Sequence, residues 1–303
     1  MTSSVLGVGA LAVSEADANP TASAQGFGFC LNTSTIREQK LSVDVEAEIA
    51  AKAGYDGFEP WIRELEAFEK AGGSLKDLGK KIADLGLKVE SSIGFAPWIV
   101  DDEAARKRGL EQAKRDMEMV HLIGGKRMAA PPAGATDKEN MNVLAIADRY
   151  RDLAEVGAKM GIIPEVEVWG FSKPLSRLGE TVYVAMESAH PLACILPDIY
   201  HLYKGGSGFE GLKLIRGNAI GIFHMNDYPD PQKVSRDKIK DADRIYPGDG
   251  VAPLKQVIKT LRDIGYHGML SLELFNPDYW KQDALLVAKT GLAKMRELVK
   301  SSL

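Results

Sequence analysis

The chain has 303 residues, 45% of them hydrophobic and 26% charged, which supplies enough apolar material for one large core. Its net charge of −4 argues against a general nucleic-acid binder, and its two cysteines, Cys30 and Cys194, sit in apolar runs far apart and read as small buried hydrophobes, not as a disulfide. The first element is a leader, residues 1–25. Val5 to Val13 is apolar but too short to span a bilayer, and the segment ends Ala22-Ser23-Ala24, like a signal-peptidase site. No Lys or Arg precedes Arg37, so the positive start of an export signal is missing. The expectation is a cytoplasmic chain as written, with export to the periplasm if the start lies upstream and residues 1–24 are signal peptide. A disordered leader is the equal alternative, and the fold is expected to begin at residue 26 and run to 303 as one domain.

From Gly26 onward, short β-like runs alternate with longer helical patterns. The runs are Phe27-Leu31, Gly57-Glu59, Leu87-Ile93, Arg127-Pro131, Ile163-Val168, Ala193-Leu196, Ile220-Met225 and Met269-Leu274. Between them, spacings such as Leu75, Leu78, Ile82, Leu85 and Leu254, Val257, Ile258, Leu261 place apolar groups on one helical face. Glycines at 54, 86, 124, 161 and 265 each follow a helical stretch and precede a strand. Glycine takes the left-handed conformation cheaply, so each reads as a helix stop. Eight β–α units leave a closed barrel or an open doubly wound sheet. The open sheet normally carries a glycine-rich phosphate loop after its first strand, but here that strand runs into Asn32-Thr33-Ser34-Thr35. An α/β chain forming a single (β/α)8 TIM barrel is therefore expected. The longest irregular stretch, Asn226 to Val251, becomes the loop after strand 7, on the face where barrels assemble active sites.

Four strand ends in the second half each deliver a metal-binding group. They are Glu167 near the end of strand 5 (with Glu165 two residues earlier on the same side), Asp198 after strand 6, His224 in strand 7 and Glu273 at the end of strand 8. A carboxylate inside an apolar strand is costly unless paired or bound to a cation. Each has an ordinary explanation alone: a glutamate can pair with Lys or Arg within the barrel, Asp198 can cap the next helix, and a lone histidine is usually structural. Together, at corresponding positions of consecutive strands, they point to one shared divalent cation. Three carboxylates and an imidazole suit Mn²⁺ or Mg²⁺, with Co²⁺ or Zn²⁺ also accommodated.

Glu167, Asp198 followed by His201, His224 and Glu273 resemble the sugar phosphate isomerase/epimerase family with the xylose-isomerase-like barrel, over nearly all of the chain after Gly26. The resemblance implies Glu167, Asp198, His224 and Glu273 as metal ligands, His201 as a contact to a substrate oxygen, and Arg244 as a substrate-contacting arginine. It also implies a small-molecule sugar as partner, with no nucleic acid and no membrane, and is compatible with a homo-oligomer. In the expected reaction a cation polarises a substrate carbonyl, while Glu167 and Glu273 move a proton on the neighbouring carbon through an enediolate, inverting or isomerising it.

Asn32 and Glu59, at the ends of strands 1 and 2, are expected to line the pocket, and Trp169 to pack on the sugar. Trp61, Trp98, Tyr228 and Trp280 also sit near strand ends, with at least half of these aromatics expected in core or rim packing. Three rival readings start from the same barrel. A lyase acting on a keto-sugar or keto-glycoside would begin with the same proton abstraction. A DNA-repair endonuclease would share the His224-Met225-Asn226-Asp227 turn but needs a histidine-rich zinc cluster, and this chain has 5 histidines. A non-catalytic sugar-binding barrel would not need both flanking glutamates.

Overall fold

The structure, a computed structural model, describes residues 26–302; the leader expectation falls on residues 1–25 and lies outside the described residues. Eight strands appear in chain order: β1 Gly28–Asn32, β2 Gly57–Glu59, β3 Lys88–Val89, β4 Arg127–Ala130, β5 Ile163–Glu167, β6 Cys194–Leu196, β7 Phe223–Met225 and β8 Met269–Leu272. Helices α1 Val43–Ala53, α2 Ile62–Lys70, α3 Leu75–Asp84, α4 Glu103–Leu122, α5 Val143–Ala158, α6 Leu178–Glu187, α7 Ile199–Lys204, α8 Leu254–Asp263, α9 Pro277–Trp280 and α10 Ala284–Ser301 fill the connections. All strand pairs are parallel. β1 lies between β2 and β8, which joins β7, while β5 lies between β4 and β6.

Single bridges close the two arcs into a barrel. Ile195 pairs with Ile220 and Asp198 with His224 across the β6–β7 seam. On the other side Ser92 N donates to Arg127 O (3.2 Å) and Ala129 N to Ser92 O (2.9 Å). The regular ladders of β3 and β7 are therefore shorter than the runs Leu87-Ile93 and Ile220-Met225 suggest. Beyond Val89 the pairing is single bridges, Ser92 to β4 and Ile93 to Pro60 and Ile62 just after β2, and Gly221 N donates to Ile195 O before β7 joins β8. The five glycines at 54, 86, 124, 161 and 265 all have positive φ, between 71° and 94°. An L side chain would be strained there, so each ends its helix and releases the chain toward a strand.

The helical apolar faces are buried as their spacing requires: Leu75, Leu78 and Ile82 on α3, and Leu254, Val257, Ile258 and Leu261 on α8. They belong to the large apolar layer between strands and helices. Each fully buried leucine there contributes about 1.5–3 kcal/mol. A smaller apolar cluster inside the barrel comprises Cys30, Trp61, Ile93, Ala129, Leu196, Ile222 and Met269. Both cysteines are buried and free. No helix among the described residues is long and apolar enough to cross a membrane.

Candidate active site

Asp198, His224 and Glu273 converge at the C-terminal mouth of the barrel. One ligand atom from each lies within 4.8 Å of the others, and all three side chains are buried. Asp198 directly follows Pro197, whose missing N–H is harmless because the β6 ladder ends at Leu196. Its Oδ1 accepts from His201 N (2.8 Å), capping α7, so the capping explanation holds and does not exhaust the residue. The other oxygen, Oδ2, accepts from Asn226 Nδ2 (2.9 Å) and Arg244 Nη1 (2.9 Å). Glu273 follows β8; its Oε2 accepts from Arg244 Nη1 (2.7 Å) and stands 3.2 Å from His224 Nδ1. Glu167, the last residue of β5, lines the same cavity outside this trio, and its buried Oε2 has no hydrogen-bond partner.

His224 is held from behind. Its Nε2 lies 3.1 Å from Glu59 Oε2, and Glu59 also accepts from Asn32 Nδ2 (2.9 Å) and Ser271 Oγ (2.6 Å). A carboxylate on the far nitrogen fixes the ring and leaves Nδ1, which has no hydrogen-bond partner, facing Asp198 and Glu273. Glu59 and Asn32, expected to line the pocket, are fully buried behind the Asp198, His224 and Glu273 cluster here, where their polar atoms are used up on His224, Glu273 (Asn32 Nδ2 to Oε1, 3.3 Å), Ser34 N and the Trp61 indole. A hard cation would find three carboxylates and a nitrogen here. The unpartnered Glu167 oxygen and His224 nitrogen are the buried polar atoms such an ion satisfies, so the residues fit one.

Charges in the cluster are strongly biased. Burial works against a charged His224 imidazolium, but Glu273 and Glu59 more than reverse this and hold it well above the ordinary histidine range. Burial would raise Glu273, yet His224 and Arg244 outweigh it and hold this carboxylate below its usual range. For Glu167, burial and then Glu273 push the pKa well up. His201 is driven well below its range by burial and then Arg244, and so stays neutral. Glu165 belongs to a deeper layer. Its Oε2 accepts from Ile222 N (2.8 Å), and burial raises its pKa to about 8 against the pull of Arg127, which pairs with Glu90. A β-carbon at Gly221 would stand 2.0 Å from that oxygen, so only glycine leaves Glu165 its place.

Arg244 arrives on the loop after β7, which Asp227 staples together by accepting from the N–H groups of Tyr228, Gly248, Gly250 and Ala252 at 2.8–3.0 Å. Its guanidinium lines the cavity but is already engaged by Asp198, Glu273, Asp241 Oδ1 (2.7 Å) and His201 Nε2 (3.1 Å). His201, Glu167, Arg244 and Glu273 form the polar side of the cavity with Asp241, and Trp61, Phe95, Trp169, Phe171 and Phe275 form an aromatic wall. Trp98 donates to Pro131 O in the core, Trp280 to Ser34 O, and Tyr228 stacks on Tyr203, so these three are packing groups. Phe95, Phe171, Phe275, Asn226 and Asp241 escaped sequence reasoning. The alternation Glu167-Trp169-Phe171 and Glu273-Phe275 was the available signal, because period-two positions keep to one side of an extended chain. His121 lies in α4, His267 just before β8, and His190 is 3.7 Å from Glu155, all outside the cluster.

Residues 47–298 match the family described as the xylose isomerase-like TIM barrel. An inosose isomerase of Bacillus licheniformis is 27% identical over 65% of this chain and 71% of its own. A 3-dehydroshikimate dehydratase of Pseudomonas aeruginosa is 27% identical over 82% of this chain and 38% of its own length. The crystal structure of the IOLI protein, which contains a bound zinc atom, superimposes with a TM-score of 0.83 at 23% identity, over 91% of this chain and 99% of that one.

Proposed function

This chain belongs to the xylose isomerase-like TIM barrel family, and from that premise we propose that it is a divalent-metal-dependent isomerase or epimerase of a keto-sugar. The convergence of Asp198, His224 and Glu273 within 4.8 Å, with an unpartnered Glu167 oxygen in the same cavity, carries this reading. Glu167, Asp198, His224 and Glu273 would hold the ion. When bound, a divalent cation supplies Lewis acidity that makes the C–H beside a carbonyl easier to ionise. Glu167 and Glu273 come from strands separated around the barrel by β6 and β7, so they reach a bound sugar from different sides. One takes the proton from the carbon beside the carbonyl, the electron pair spreads onto the carbonyl oxygen as an enediolate, and the other returns a proton to the opposite face. His201 and Arg244 orient substrate oxygens, and the aromatic wall packs on the sugar's C–H face and keeps water out. The dehydratase relative favours a second outcome of the same first step, expulsion of a β-substituent in place of reprotonation.

The test is turnover in D₂O by the Mn²⁺-loaded protein on a panel of inososes and ketohexoses. Deuterium beside the carbonyl of a product with the substrate's formula supports isomerisation or epimerisation, and loss of water supports the lyase. Neither exchange nor conversion of any member would overturn the reading.

A further inference from the structure

Arg37 lies in the short 3-10 turn Thr33–Gln39 that follows β1, and the reaction just described does not use it. Its guanidinium carbon is 3.9 Å from the ring centroid of Trp61 and 5.1 Å from that of Phe275, two walls of the cavity. Nε and Nη2 are buried and make no hydrogen bond, and among the described residues no carboxylate forms an ion pair with Arg37. The acids that face it are occupied or stand off. Glu64 accepts from Thr33 Oγ1 (2.5 Å) and Trp61 N (2.9 Å), Glu273 serves Arg244 and His224, and Glu46 and Glu38 form no ion pair with it among the described residues. Arg63 adds a second guanidinium over Trp61, at 4.6 Å, again without an ion pair among the described residues. Stacking on an indole offsets only part of the desolvation of a buried cation, and two neighbouring cations repel. A planar fork with unpaired donors, stacked directly behind two aromatic walls of the cavity, is suited to an oxyanion that reaches past them.

We propose that Arg37, assisted by Arg63 at the rim, binds an oxyanion, a carboxylate or a phosphate, on the substrate end remote from the carbon that reacts between Glu167 and Glu273. The inference rests on the keto-sugar reading of the site and narrows it to acidic keto-sugars. Arg37 is thus a specificity-determining residue contributed by the first half of the barrel.

Calorimetric titration of the full, Mn²⁺-loaded chain with D-fructose, D-fructose 6-phosphate and 5-keto-D-gluconate tests it, the two acids separating phosphate from carboxylate. At least one acid should bind about tenfold or more tightly than D-fructose, the scale of one charge-assisted contact. Arg37→Met should erase that preference and leave D-fructose binding within about threefold, with Arg37→Lys between. Equal binding of the three sugars, no binding of any, or a preference that survives in Arg37→Met overturns the proposal. Deuterium exchange on the same preparations keeps the two ideas apart. Exchange into a neutral ketose without any acid preference removes the oxyanion site alone. Arg37-dependent binding of an acid without exchange of any keto-sugar removes the reaction and leaves the oxyanion site standing.

Discussion

Strands β5–β8 and β1–β4 close one barrel with the same parallel pairing, yet their ends carry different chemistry. The later strands deliver Asp198, His224 and Glu273, whose ligand-type atoms face one another, and Glu167, which lines the same cavity. The earlier strands deliver Asn32 and Glu59, which stand behind that cluster, and a wall formed by Trp61 and Phe95, with Arg37 stacked on Trp61. The proposed proton transfer sits on the later strands, whereas the earlier strands supply the support of His224 and part of the recognition surface. Acids that must share a cation need short strands in fixed register, whereas recognition tolerates turns such as Thr33–Gln39. The small barrel-interior cluster contains residues of both halves, so neither half forms the site alone.

The sharpest test of this division is removal of a proposed proton carrier. Glu167→Gln or Glu273→Gln should lower turnover by about 10²-fold or more, with metal content measured alongside because each is also a proposed ligand. Normal turnover by both metal-loaded variants would break the division outright. Glu59→Gln probes the other half. Losing the carboxylate behind a ligand imidazole typically costs about 10–100-fold in metal affinity or activity, so it should fall below the ligand variants and above wild-type-like behaviour. An effect as large as loss of Glu273 would mean that Glu59 acts on the substrate and not through His224.

Chelation should lower the melting temperature, and readdition of Mn²⁺ should restore it. A ligand at a hundredfold excess over its Kd stabilises the native state by about 2.7 kcal/mol. An unchanged melting curve after verified metal removal would count against a shared ion. A pH effect away from the cavity concerns Glu46 on α1, which burial and then Glu64 push from 4.5 to about 9. The folded chain then holds this proton more tightly than the unfolded one. Its contribution to stability is full below pH 4.5 and is lost as pH rises through about 9. The slope is at most about 1.4 kcal/mol per pH unit. Glu46→Gln should flatten that slope, so denaturant titrations at pH 5 and pH 8 should show the variant gaining on wild type at the higher pH. Parallel pH profiles would refute the shift. The smallest expected effect is none: deleting residues 1–24 should leave folding and turnover intact, which soluble yield and activity would check.

Much of this fold was legible in the chain. Helical spacing and the glycine stops reported local geometry, which depends only on a residue's neighbours in sequence; the five positive-φ glycines are the clearest case. The four metal-binding candidates were legible because an acid or imidazole in an apolar strand is costly wherever that strand lies. Only the tertiary structure decided what each polar group faces. Glu59 and Asn32 have the sequence signature of pocket residues, but the register of β1 with β2 turns them onto His224 and Glu273. Glu165 and Glu167 differ by two residues and share a side of β5, yet one meets Ile222 N beside Gly221 and the other meets the cavity. Arg37 carries no motif, and its surroundings, without an ion pair among the described residues, come from α1, α2 and the end of β8, which meet it only when the barrel closes. Backbone preferences are summed locally, whereas charge and hydrogen-bond partners come from distant segments that barrel closure brings together.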